Sequence, residues 1–395
     1  MPKMPGLSRA AMILAAIGPS IFFVLATQSE TTQESTPLLL AVHDAPIPFT
    51  GSDGRTHLVY ELWMTNFTSG EAEIQKVEVL GDGVVLQTLD QAAIATRLQP
   101  AGQRDSTGTM AKGTQSLLFL HLILPSGAQI PQQLTHRVEA HYAAAPPTYQ
   151  HVTETGGTVT VDRREVLQIA PPLNGSNYVS ADSCCDATRH TRAALPINGS
   201  VYLAQRYAVD WEQLDADNRI YNGPREKLES YTIFGKPVLA VADATVAVVV
   251  KGQREQIPGK FPTDISLDQA DGNAIILDLG QHRYALYAHM QSESIHLQRG
   301  AKVKRGQIIG LVGDSGNSVA PHLHFQLMDS ELSLGSNGLP YEIKDFQVTA
   351  KTPGTKAFDE AEANGNPLAL TPFTPALAVK DALPLDQLII AFASQ

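Results

Sequence analysis

The sequence predicts a mainly β protein: an N-terminal β-sandwich followed by a second antiparallel β unit. Three observations carry this. Apolar and polar residues alternate in short bursts, as at 57–64 (HLVYELWM) and 116–124 (SLLFLHLIL), the period of a strand with one face in a core. Turn signals such as GDG at 81–83 and PSG at 125–127 separate the bursts. The 395 residues include 30 Gly and 25 Pro and are 43% hydrophobic and 17% charged, which suits turn-rich globular domains rather than a disordered chain or a coiled coil. At about one domain per 150 residues, two or three units are expected.

Taken in order, the chain begins with Lys3 and Arg9 ahead of an almost wholly apolar run at 10–26, followed by a polar stretch at 27–36. That layout reads as a signal peptide over 1–27, the run being shorter than the ~20 residues of a spanning helix. An uncleaved signal anchor is the alternative, and membrane contact is expected only through this segment. The working protein is accordingly expected to be exported, periplasmic or extracellular. The bursts over 36–150 are similar in pattern to an immunoglobulin-like β-sandwich. His43, His57, His121, His136, His141 and His151 are scattered through it without metal-ligand spacing and read as solvated or core-edge residues. Prolines at 146, 147, 171 and 172 mark a hinge. A second strand-rich unit spans 171–350, and the Pro- and Ala-rich tail at 351–395 ends in an apolar stretch that can dock as a final strand.

Formal charge is 29 Lys and Arg less 40 Asp and Glu, a net −11, so no basic field exists to bind nucleic acid. The two cysteines, Cys184 and Cys185, are neighbours, which excludes a disulfide framework. A bond between adjacent residues fits ordinary bridge geometry poorly. They read as incidental or structural thiols, with a local redox-sensitive pair or metal ligation as alternatives.

Chemistry concentrates in the second unit. QRYAVD at 205–210, LYAHM at 286–290 and PHLHF at 321–325 place His and Asp in strands beside Gly-bearing turns. Residues i and i+2 of a strand share a face, so His322 and His324 can address one ion or one water. Ahead of them runs VKRGQIIGLVGDSGNS at 303–318, and earlier GNAIILDLG at 272–280. Together these residues closely resemble the lysostaphin-type, or LytM-type, zinc metallopeptidases over roughly 195–330. The resemblance implies a duplicated-hybrid-motif-like β core with a shallow groove and one zinc ion held by two His and one Asp. It also implies a bound water that attacks peptide bonds, with peptidoglycan or its peptides as substrate. Carried over by motif, Asp210 and His324 are metal ligands, while His289 and His322 are catalytic, His322 as base and His289 at the oxyanion. Zinc takes imidazole nitrogen and carboxylate oxygen and keeps an open position for water, which agrees with that allocation.

One position departs from the family. The first ligand belongs to a His-x-x-x-Asp motif, and four residues before Asp210 stands Arg206. Guanidinium has no lone pair to offer and stays protonated, and an ion pair with Asp210 is its expected partnership. A substitute donor is sought in the segment 182–190 (DSCCDATRH), where His190 is preferred over the cysteines. The function expected is therefore an exported zinc metalloendopeptidase acting on peptidoglycan. The alternative is a degenerate LytM-type protein that binds the wall or activates a wall hydrolase. Tyr207, Trp211, Tyr231 and Tyr287 read as core before groove.

Overall fold

A computed structural model describes residues 35–393, and the signal expected at 1–27 lies outside them. Two antiparallel sheets are built from the first part of the chain. One runs in the order Leu38–Ala41, Thr56–Asn66, Gln115–Leu124, Leu98–Pro100, with Phe49–Thr50 along the second strand. The other runs His151–Thr160, Gln133–His141, Ala72–Gly81, Val84–Asp90, with Thr109–Met110 along the third. Alternation in the sequence becomes a shared core: Leu58, Leu62 and Met64 from the first sheet meet Ile74, Val79 and Val138 from the second.

The strand Thr56–Asn66 departs from simple alternation because its other face is buried as well. Val59 joins the core of the second half beside Phe49 and Tyr207, and Trp63 packs with Phe119 and Leu203. A strand covered on both sides reads as a nearly continuous apolar run, as 57–64 does. Glu61 lies on that second buried face.

The second half is organised around a 12-stranded sheet. Its central order is Tyr341–Lys351, Leu388–Phe392, Gly175–Ala181, Val209–Gln213, Leu323–Met328, Tyr284–Met290, Asn273–Asp278, Ala244–Val250. These neighbours pair antiparallel; the short strand Leu167–Ile169 joins the edge in parallel. The apolar face of the strand Leu323–Met328 sends Leu323, Phe325 and Leu327 into the main core with Trp211 and Tyr287, while His322, His324 and Gln326 alternate to the other side. Tyr207, Trp211, Tyr231 and Tyr287 are all buried, so they serve packing rather than a groove lining. The segment after 350 supplies a helix, Thr355–Asn364, closed by Gly365 in the left-handed region (φ 68°), and the strand Leu388–Phe392, which lies inside the sheet. No helix among the described residues is long and apolar enough to cross a membrane.

Candidate metal centre

Strand register sets the site. Asp210 stands opposite His324 across the pair formed by Val209–Gln213 and Leu323–Met328, and directly opposite residues share a face. Their side chains meet with His324 Nδ1 2.8 Å from Asp210 Oδ1. His322, two residues back, brings Nε2 to 3.5 Å from the same oxygen. His289 arrives differently. Its neighbour Ala288 pairs with His324, so regular alternation would carry the His289 ring to the opposite face. A left-handed backbone (φ 60°) beside a register shift turns it back, and its ring lies 4.6 Å from that of His322. Gly313 permits this crowding: a Cβ there would sit 2.7 Å from the Gln291 nitrogen and 2.8 Å from the His289 carbonyl oxygen.

His190 comes from outside the sheet, on the short helix Thr188–Thr191. Its Nε2 lies 3.3 Å from Asp210 Oδ2, and its ring meets that of His324 edge-on at 4.9 Å. The next-door Arg189 links Asp182 to Asp359 of the C-terminal helix, each at 2.7 Å. His190, Asp210 and His324 present ligand atoms all within 4.8 Å of one another.

Arg206 is not part of this cluster. The expected ion pair with Asp210 is replaced by a forked pair with Glu61, Nε at 3.1 Å and Nη2 at 2.7 Å from its two oxygens, with Asp44 at 3.4 Å. The physical reason is the doubly buried strand Thr56–Asn66, which places a carboxylate within reach of the guanidinium. The position that could have blocked a metal with a positive charge instead ties the two halves of the chain together.

The donor set fits a divalent cation. His190 Nδ1 faces the Asp182 carbonyl at 2.9 Å, His289 Nδ1 the Ser315 carbonyl at 2.7 Å, and His322 Nδ1 the Ala320 carbonyl at 2.8 Å. A carbonyl only accepts, so each Nδ1 carries the ring proton and each Nε2 is left with a lone pair. His324 is tied the other way, Nε2 donating to Gln326 Oε1 at 2.9 Å, which leaves Nδ1 bare towards Asp210. A carboxylate thus faces three lone-pair nitrogens, and such a ring of donors is repulsive until a proton or metal ion enters. Outer partners that fix ring tautomers in this way are a feature of zinc sites. The electrostatics agree. Burial would raise the Asp210 carboxyl, but His190 and His322 hold it well below the usual carboxylate range. Burial opposes charge on His190, but Asp210 carries the ring up to about 9. Burial, with repulsion from His322 and His324, pushes His289 well down.

Residues 230–336 match the family model described as Peptidase family M23. That segment of the chain is similar to the M23 peptidases. Among curated relatives, the peptidoglycan DD-endopeptidase ShyA of Vibrio cholerae is 39% identical over 57 residues, 14% of this chain and 13% of its own. The DD-carboxypeptidase/endopeptidase Mpg of Neisseria meningitidis is 32% identical over 127 residues, 32% of this chain and 23% of its own. The chain therefore spans under a quarter of either relative's length. Among solved structures, the catalytic domain of lysostaphin from Staphylococcus simulans is 23% identical, covering 42% of this chain and 88% of that one, with a TM-score of 0.23. The matched family segment includes His289, His322 and His324 and excludes His190, Arg206 and Asp210.

Several further residues stand around the groove. Gln326 extends the His-x-His alternation by one step, a readable signal. Glu212, on the same strand and face as Asp210, is buried and pushed well above the usual range by that burial. Glu362 of the C-terminal helix also rises through burial, although His322 pulls it the other way, and nothing in the local sequence links it to the groove. Two expectations outside the groove are corrected. Cys184 and Cys185 do form a disulfide, across a cis peptide that turns both side chains to one side. His57 and His136 are buried within the sandwich rather than solvated, because each finds a polar partner there, Asp53 and Tyr60 respectively.

Proposed function

We propose that this protein is an exported zinc metalloendopeptidase that cleaves peptide bonds of peptidoglycan. The carrying observation is the convergence of His190 Nε2, Asp210 and His324 Nδ1, three donors with their outer atoms anchored, despite arginine at the family's first ligand position. The peptidoglycan substrate is supported by the M23 match and by relatives named as peptidoglycan and DD-endopeptidases.

On this reading His190, Asp210 and His324 hold the ion. Zinc held there would polarise a scissile carbonyl and bring the pKa of a bound water towards ~7. His322 and His289 manage the protons. Both rings carry their hydrogen on Nδ1, locked to backbone carbonyls, so both Nε2 atoms first act as acceptors. His322 Nε2, beside Asp210, takes the proton of the attacking water. His289, neutral and 4.6 Å away ring to ring, donates to a developing oxyanion only after a proton reaches its Nε2. That proton is the one His322 took from the water: it passes to the amine nitrogen as the C–N bond breaks, and both rings return to their Nδ1–H form.

The test is zinc content together with cleavage of purified muropeptides by the full chain. Near one zinc per chain is expected, with activity lost to a chelator and regained with zinc. His190→Ala should lose both metal and cleavage, whereas His322→Ala should keep the metal and lose cleavage by about 10²-fold or more. Retention of zinc and cleavage by His190→Ala would overturn the ligand assignment. Zinc bound without any cleavage would overturn the enzyme reading.

A further inference from the structure

A second group of ligand-type side chains lies away from the groove, where the sandwich meets the loop leading into the His190 helix. His57 and His121 sit on paired strands and stand diagonal to each other, His57 opposite Ile123 and His121 opposite Val59. His57 Nδ1 and His121 Nε2 are 2.8 Å apart. Each ring is held from behind by a carboxylate: His57 Nε2 lies 2.9 Å from Asp53 Oδ1, and His121 Nδ1 lies 3.0 Å from Asp186 Oδ2. Arg97 in turn fixes Asp186 at 2.5 Å, and Arg55 fixes Asp53 at 2.6 Å.

A carboxylate accepts, so the outward nitrogen of each ring carries the proton. The two inward nitrogens then face one another, a contact that needs either a second ring proton, giving an N–H···N hydrogen bond, or a metal ion beside them. Carboxylate-backed imidazoles are the arrangement that orients histidine ligands and raises their basicity. The third member is Cys185, whose sulfur lies within 4.8 Å of both ring donors; His57 and Cys185 are buried and His121 nearly so. Beside them is a cavity of about 10 Å³ whose walls include Val59, His121, Cys185 and Asp186, the room of roughly one water or one ion.

We propose that His57, His121 and Cys185 form a second metal site, for an ion that takes both imidazole and thiolate such as zinc or cuprous copper, and that the Cys184–Cys185 disulfide closes it. Sulfur binds metals as thiolate, and a disulfide sulfur carries no such charge. A dithiol opens the site: it gives two electrons and two protons to the S–S bond, leaving two thiols on the protein while itself becoming a cyclic disulfide. The Cys185 thiol then releases its proton to solvent as the sulfur binds the ion.

Cobalt(II) is the probe, because a cobalt–thiolate bond gives a charge-transfer band in the near ultraviolet and the groove donors include no sulfur. Full-length chain stripped of metal and carrying Cys184→Ser, which leaves Cys185 free, should take one more cobalt per chain than the disulfide form and show that band without reductant. The unsubstituted chain should show it only after dithiol treatment and removal of the dithiol. Adding His57→Gln or His121→Gln to Cys184→Ser should weaken the cobalt that gives the band tenfold or more, and Cys185→Ser should remove the band. Absence of the band from both the natively folded Cys184→Ser chain and the reduced unsubstituted chain would overturn the proposal. So would a band indifferent to both histidine substitutions. Neither result bears on the groove zinc, which is read by metal content and cleavage.

Discussion

The Arg206–Glu61 pair offers a quantitative test of how the arginine could coexist with the proposed metal centre. Side-chain exposure is 5% for Arg206 and 2% for Glu61, and two hydrogen bonds join them. Removing one member of a buried pair costs about 3–5 kcal/mol, because the other is left charged and dry, whereas replacing both with apolar residues of similar size is often nearly neutral. Glu61→Leu fills the space but leaves Arg206 with only Asp44 at 3.4 Å, a partner with a third of its side chain exposed. The loss is therefore placed at the low end, about 3 kcal/mol. The double variant Glu61→Leu with Arg206→Met should return to within about 1.5 kcal/mol of the parent, so that with about 3 kcal/mol lost in each single variant the coupling in a double-mutant cycle is about 4 kcal/mol or more. Urea unfolding of the four chains measures this, and zinc content measured alongside should be the same in the double variant as in the parent. A Glu61→Leu loss below about 1 kcal/mol would show that the pair is solvated and the reasoning wrong. A gain of zinc on removing Arg206 would show that the guanidinium does oppose the metal.

Three further outcomes follow from the same geometry. Gln326→Leu removes the acceptor that holds the His324 proton on Nε2, so zinc affinity should fall about 10–100-fold, read by competition with a chromophoric chelator, with little change in fold. Asp386 is pushed up to about 7 by burial and by Asp182, against the hydrogen bonds from Ser183 and Gln387. A carboxyl raised in the folded state favours folding below its unfolded value near 4 and loses that contribution as pH rises through about 7. Asp386→Asn should therefore gain stability relative to the parent between pH 5 and pH 8, and a difference in urea midpoint that does not grow with pH would refute this. Finally, restoring histidine at 206 in a His190→Ala chain should not restore zinc, because that side chain departs towards Glu61 and Asp44. Recovery of one zinc per chain would show that the 206 backbone can turn to the groove.

The sequence shows the strand content and the groove histidines because both depend on a period of two that needs no tertiary information. His322, His324 and Gln326 sit on one face for the same reason that Leu323, Phe325 and Leu327 sit on the other. Legibility stops where contacts join distant segments. The strand Thr56–Asn66 shows Glu61 amid apolar residues, and only a second covered face explains why a carboxylate belongs there. His57 and His121 are 64 residues apart, and their meeting depends on strand register, which alternation alone does not fix. The helix Thr355–Asn364 escapes notice because it buries only Phe358 and Ala361, too few apolar positions to show a helical period. His289 is a different case: alternation points it the wrong way, and a left-handed residue beside a bulge is what returns it to the groove.

If His190 is a ligand as proposed, its position accounts for an arginine standing at 206. Arg206 follows a turn in which its nitrogen bonds back to the Leu203 carbonyl, and its side chain leaves towards the sandwich. A residue at 206 lies in the turn just ahead of the strand that carries Asp210, whereas His190 is held by contacts that come from elsewhere. Its ring is oriented by the Asp182 carbonyl, and its helix is tied through Arg189 to Asp359 near the C-terminus. The same segment, 182–190, carries the Cys184–Cys185 disulfide, and Asp386 receives the Ser183 amide. The proposed metal centre thus draws on the whole second half of the chain. Loosening the C-terminal helix should weaken zinc binding without touching a ligand, a dependence that a histidine at 206 would not impose.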